Sequence, residues 1–221
     1  MKPLSRRKML AVIGAAPLAG GLLTESIGQV TQPARASSRD KIRQRYFPNV
    51  ALTTHEGKQV RFYEDLIKDK IVLINMMYAK CEGICMPVTM NLRRVQKMLG
   101  DRVGKDIFFY SITLKPEEDS PSALKNYAQM HHVGPGWLFL TGASADVELL
   151  RRKLGFTNPD PKLDADKSQH IGMVRYGNEP EQLWAACPGM ANAKWIFESL
   201  SFVDWPRSRS TGAMSQEKGE R

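Results

Sequence analysis

Cysteine is scarce in this chain: Cys81, Cys85 and Cys187 are the only three in 221 residues. A scaffold stapled by many disulfides is therefore excluded, and the length is enough for a domain held together by its own apolar core. Long apolar runs are lacking too. The stretch from Met9 to Leu23 is interrupted by Gly14, Pro17, Gly20 and Gly21, and it falls short of the ~20 apolar residues that a confident membrane span needs. No internal repeat is visible, which sets repeat architectures aside. Basic residues outnumber acidic ones, 32 to 23, yet they form no stripe with interleaved aromatics, so nucleic acid is not an expected partner. There is no Cys-x-x-Cys, the spacing that would argue for thiol–disulfide exchange, and no cysteine flanked by Pro and Thr with a partnering arginine stands out, which argues against a peroxidase.

The N-terminus reads as an export signal rather than a membrane span. A basic start from Met1 to Lys8 precedes the short apolar stretch, and Ala34-Arg35-Ala36 supplies a small-residue cleavage pattern. That order is the signature of a segment removed after export. Ser5-Arg6-Arg7-Lys8 resembles a twin-arginine signal, a route that carries proteins already folded. Residues 1–36 are thus expected to be the signal, with an uncleaved membrane anchor as the alternative. Either way the main body is expected outside the cytoplasm, in the periplasm or its equivalent. The segment holds five basic residues and one acid, so the formal charge of +9 becomes +5 beyond it. Such a charge favours an acidic partner or an anionic membrane surface. In an oxidising compartment two thiols form a disulfide unless they bind metal or are kept reduced. The cysteines therefore point to redox chemistry or to metal chemistry.

Residues 37–47 are polar and read as a linker, and residues 206–221, rich in Ser, Gly, Lys, Arg and Glu, read as a disordered tail. The domain is expected between them, at 48–205. It opens with a small hairpin, Val50 to Leu52 and Val60 to Phe62. The nearly unbroken apolar run Ile71 to Tyr78 suits a central buried strand, although a buried helix has the same pattern. Val88 to Leu99 reads as a helix with Leu92, Val95 and Leu99 on one face. Ile107 to Leu114 is a second buried strand. A helix starts at Ser120-Pro121, where proline needs no amide partner. Trp137 to Leu140 is a short strand, Ala145 to Leu154 a helix, Ile171 to Tyr176 and Gln182 to Ala186 a hairpin, and Ala193 to Phe202 a last helix. This order predicts an α/β fold with a mixed sheet and, as the best layout, a thioredoxin-like arrangement.

Cys81-Glu82-Gly83-Ile84-Cys85 falls directly after the first buried strand and directly before a helix. Residues four apart share a face of a helical turn, and a helix N-terminus favours thiolate over thiol. Gly83 lets the loop bend, and Pro87 fits the first turn. Two thiolates can hold a soft ion such as Cu(I), and an added imidazole also suits Cu(II). A plain disulfide is the competing reading, but so short a loop stabilises little through chain entropy. Met76, Met77, Met86, Met90 and Met173 are near in sequence; packing explains them better than metal binding, with Met86, next to Cys85, the best exception. His55 reads as a solvated turn residue, and His131-His132 as a helix end. Cys187 reads as a buried, inert thiol.

Taken together these features resemble the Sco (SenC) family of copper chaperones. The resemblance covers roughly residues 48–203 and rests on Cys81-x-x-x-Cys85 after a strand, Ser111-Ile112-Thr113 at a strand end, Pro116-Glu117-Glu118-Asp119-Ser120-Pro121 before a helix, and Trp137-Leu138-Phe139-Leu140-Thr141-Gly142. It implies a thioredoxin-like fold and a copper ion, Cu(I) or Cu(II), held by Cys81, Cys85 and His170. It also implies an assembly factor, not a turnover enzyme, that delivers copper to the copper A centre of cytochrome c oxidase subunit II. Another copper enzyme as recipient is the alternative, as is a thiol–disulfide reductase or redox sensor in which Cys81 and Cys85 form a redox disulfide. Three positions depart from the family pattern: Met86 stands where the proline is expected, Lys115 replaces an Asp before Pro116, and Gln169 replaces an Asp before His170. An acidic neighbour would orient a ligand imidazole.

Overall fold

The computed structural model describes residues 37–167 and 172–204. The expected signal, the tail and His170 lie outside them. The strands, in chain order, are β1 (Ala51–Thr54), β2 (Gln59–Arg61), β3 (Ile71–Met77), β4 (Ile107–Thr113), β5 (Trp137–Gly142), β6 (Met173–Asn178) and β7 (Leu183–Pro188). They form one mixed sheet in the order β2-β1-β5-β4-β3-β6-β7. β3, β4 and β5 run parallel, while β6 pairs antiparallel with β3. The two hairpins, β1–β2 and β6–β7, form the sheet's edges. This is the mixed α/β, thioredoxin-like fold expected from the order of elements.

β3 is buried at all seven positions, because helices cover both faces of the sheet. That is why its sequence is continuous rather than alternating. On one face, Leu73 and Asn75 are in register with Phe109 and Ser111, and these with Trp137 and Phe139. Helices α2 (Cys85–Leu99), α3 (Pro121–Met130) and α6 (Ala193–Val203) pack on that face. Thr89 Oγ1 and Tyr127 OH, 2.9 Å apart, join α2 to α3, and Asn178 Nδ2 donates to Val203 O at 2.9 Å, joining α6 to the sheet. Within this layer Trp137 Nε1 donates to Ser111 Oγ (2.9 Å), which donates to Asn75 Oδ1 (2.7 Å). A buried polar group needs such a partner to avoid a cost of about 1–3 kcal/mol. On the opposite face lie Ile74, α1 (Ser38–Tyr46) and α4 (Ser144–Lys153). A short helix, α5 (Pro161–Ala165), follows α4.

The segment read as a linker contains α1. Its apolar content is too low to signal a helix, and none of its residues is buried. Local capping and ion pairs hold it instead. Ser37 and Asp40 form a capping box, worth about 1 kcal/mol. Arg39 Nε donates to Glu179 Oε1 at 2.7 Å, and Arg43 Nη1 to Glu64 Oε1 at 3.3 Å. α2 starts three residues earlier than its apolar periodicity suggests, at Cys85, which is itself buried. No helix among the described residues is long and apolar enough to cross a membrane.

Candidate metal centre

Parallel strands send their following loops to one end of a sheet, and that end is where α/β folds place their sites. Here the loop after β3 carries Cys81, and Cys85 is the first residue of α2. The loop after β4 carries Lys115 to Ser120. Because β6 is antiparallel to β3, the chain entering β6 arrives at the same end.

The structure brings the two cysteines within hydrogen-bond reach, and they are not equivalent. Cys85 is 2% exposed, whereas Cys81 is only half-buried. Burial pushes the Cys85 thiol up, and its hydrogen bond to Cys81 pushes it further. For Cys81, burial acts upward as well, but it is outweighed by hydrogen bonds from the Cys85 side chain and backbone, the Gly83 amide and the Tyr78 hydroxyl, so its pKa falls below the ordinary thiol value. Tyr78 moves the opposite way, up to about 12, through burial and then its bond to Cys81. The result is a thiolate-prone sulfur beside a buried thiol that donates to it. Thiolate is the form that binds metal and attacks disulfides.

Asp119, part of the Pro116–Pro121 motif, completes this end of the sheet, a role the motif alone does not show. It is 2% exposed. Its Oδ2 accepts from the Ala79 amide at 3.0 Å and from Thr113 Oγ1 at 2.5 Å. It thereby pins the start of the cysteine loop to the end of β4, and its charge adds to the upward push on Cys85. Its signal was present within Pro116 to Pro121, but only a fold shows that this loop meets the other. Lys115, in the same loop, sits with its ammonium 4.6 Å from the Tyr78 ring centroid.

His170 lies outside the described residues. The chain on either side of it meets the cysteine loop: the charge of Asp166 acts on Tyr78, and a Cβ on Gly172 would fall 2.7 Å from Ile84 Cδ1. Among the described residues no group of three or more His, Cys, Asp or Glu side chains is arranged to hold a metal. Two soft sulfurs that need one more donor fit a thiophilic ion such as copper. Met76 and Met77 are buried in the core, as packing predicted, while Met86 is 53% exposed. His55 and His131 are held by structural contacts. His55 sits in the hairpin turn as expected but is half-buried rather than solvated: its Nδ1 accepts from the Phe139 amide at 3.1 Å, and burial lowers its pKa. His131 packs on Tyr127, ring centroids 4.3 Å apart, and burial followed by the charge of His132 lowers its pKa. Cys187 is fully buried, and burial raises its pKa to about 11.

The fold and the paired sulfurs define a thioredoxin-like dithiol protein. Residues 38–196 match the SCO1/SenC family model, and the chain belongs to that family. It is 32% identical over 90 residues to the SCO1 protein homolog of Bacillus subtilis (strain 168), a match that spans 40% of this chain and 45% of that relative. Among solved structures it is similar to Bradyrhizobium japonicum ScoI with copper bound, with a TM-score of 0.56 and 21% identity, covering 69% of this chain and 96% of that one. It is also similar to BsSco, a member of the Sco family of cytochrome c oxidase assembly proteins in which a disulfide switch was identified, with a TM-score of 0.56 and 22% identity, covering 71% of this chain and 91% of that one. At these identities the likeness to solved structures establishes the fold.

Proposed function

We propose that this protein is an extracytoplasmic copper-binding assembly factor in which Cys81, Cys85 and His170 hold the ion. The observation that carries the reading is the thiolate-prone Cys81 beside the buried Cys85, at the start of a helix. Family membership and a copper-bound relative support it. Copper, when bound, would be the cargo; the chain's own part is to present two sulfurs already close together and partly shielded from water. A third ligand from the segment between Asp166 and Gly172 leaves the set incomplete, so a recipient's donor can enter before all of the chaperone's donors leave. The recipient in this reading is a copper A-type centre such as that of cytochrome c oxidase subunit II, or another copper enzyme. Residues 1–36 act as the export signal, or remain as an anchor.

A second reading draws on the same asymmetry. An accessible, thiolate-prone cysteine paired with a buried one suits thiol–disulfide exchange, in which the first attacks and the second resolves. One set of variants separates the two. Competition titration with a Cu(I) chelator should lose at least tenfold in affinity for His170→Ala and far more for Cys81→Ser and Cys85→Ser. Reductase activity toward an oxidised dithiol should survive His170→Ala. Copper affinity unchanged in both cysteine variants refutes the chaperone reading.

A further inference from the structure

On the sheet face away from the cysteines, α1, the end of α4 and the β6–β7 hairpin enclose a cavity of about 310 Å³. Its walls are mainly apolar and include Phe47, Leu154, Trp184 and Ala186, and its two charged lining residues, Lys153 and Arg175, are both cations. Phe47 and Trp184 stand face to tilted face, centroids 4.4 Å apart. Trp184 in turn covers Gly177, where a Cβ would fall 2.2 Å from Trp184 Cε3.

Arg175 is the unusual member. A guanidinium carries five donors and is seldom taken out of water without an anion. Among the described residues Arg175 makes one hydrogen bond, from Nη2 to Gly155 O at 2.7 Å, with its guanidinium carbon 5.7 Å from the Phe156 ring centroid. It enters no ion pair with them, and its Nε is buried without a hydrogen-bond partner. The indole nitrogen of Trp184 is buried without one too. Arg175 is half-buried, burial lowers its pKa, and no acidic side chain among the described residues offsets it. The contrast with Arg151, whose guanidinium meets two carboxylates, is direct.

We propose that this cavity binds a single-tailed amphipathic carboxylate, with the head group on Arg175 and the tail against Phe47, Leu154 and Trp184. The anion supplies the missing counter-charge, and the apolar walls take the tail. The cavity is at the small end of ligand sites, too small for a two-tailed lipid. The full chain, titrated with cis-parinarate and followed by polyene fluorescence, should show one saturable site. Decanoate should displace the probe at least tenfold more effectively than decanol. Arg175→Gln should abolish that preference, and Ala186→Leu, which fills the cavity from β7, should weaken both. Each variant is checked by circular dichroism; the preference for decanoate over decanol is measured on the unaltered chain and stands without them. No saturable binding, equal displacement by decanol, insensitivity to both variants, or uptake of the protein only by phosphatidylglycerol vesicles would each overturn the proposal.

Discussion

Arg151 allows a quantitative test of how this domain holds the chain that leads to His170. It is 3% exposed, yet all five of its donors are used. Nε and Nη2 donate to the two Glu148 oxygens at 2.8 Å each. Nη1 and Nη2 donate to the two Asp164 oxygens at 2.6 and 2.7 Å, and Nη1 also reaches Phe156 O at 3.1 Å. The cluster ties α4 to the segment 156–164, and Lys167 extends it by bonding Glu148 at 3.0 Å. Arg151→Met keeps the volume and removes the charge. Removing one partner of a fully buried pair costs about 3–5 kcal/mol. Glu148 and Asp164 retain 34% and 16% exposure, and Glu148 keeps Arg152 and Lys167, so solvent and the remaining cations reduce this to about 2–3 kcal/mol. Urea unfolding should report that loss as a lower midpoint at unchanged slope. Arg151→Lys should recover only part of it, because a point charge cannot grip two carboxylates.

The pH dependence has a definite sign. Hydrogen bonds from Arg151 lower the Glu148 pKa to about 2 and depress that of Asp164 as well. Groups with depressed folded pKa values stabilise fully above their ordinary values of about 4 and lose that contribution as pH falls through the folded values. The wild-type domain should therefore lose stability between about pH 4.5 and 2, and Arg151→Met should show a shallower loss over the same window. Because the anchored segment ends just before His170, the same variant should weaken copper binding while alkylation of Cys81 proceeds as in the wild type. A change below about 0.5 kcal/mol, or an acid slope equal to the wild type's, would refute this account of the cluster.

Two further outcomes are expected. Asp119→Ala removes the acceptor of the Ala79 amide and the Thr113 hydroxyl, and should cost about 2–3 kcal/mol in thermal unfolding, with broadened amide resonances at 78–81; normal stability would show that Asp119 does not pin the loop. Glu179→Gln weakens the grip on Arg39, Tyr63 OH (2.8 Å) and the Asp69 amide (2.9 Å), so amides of α1 should exchange hydrogen about tenfold faster, equivalent to about 1.4 kcal/mol, while those of β3 are unchanged.

The elements that the sequence announced are those whose apolar period comes from burial against the sheet. β3 and β4 read as unbroken apolar runs, α2 shows Leu92, Val95 and Leu99 on its buried face, and α3 declares itself through Ser120 and Pro121. α1 was missed although Ser37 and Asp40 form a local capping box, because the contacts that fix it to the domain are ion pairs with residues 21 and 140 positions away, and local reading has no access to such partners. The same blindness applied at the site. Spacing and position made Cys81 and Cys85 legible, and the fold brought them together. Their inequality was not legible, since it comes from Tyr78, from the depth of Cys85 and from the Asp119 charge. His55 was misread for the related reason that its partner, the Phe139 amide, is supplied by the adjoining strand.

Where the chain departs from the family pattern also carries an argument. The buried groups that hold the cysteine loop in place, Thr113 and Asp119, are shielded from partners. Two of the departures lie at the rim. Met86 is 53% exposed, and the Lys115 side chain, one-third exposed, pairs with Glu118 at 3.3 Å. Lys115 in place of an acid changes the local charge by two units beside Tyr78, on the side where the proposed function would bring a recipient. Charge at such a rim governs encounter rate and choice of partner more than the strength of the interior. An interior kept for thiol or metal chemistry behind a more cationic rim fits a more acidic docking surface on the recipient, and the proposed choice between a cytochrome c oxidase subunit and another copper enzyme turns on that surface.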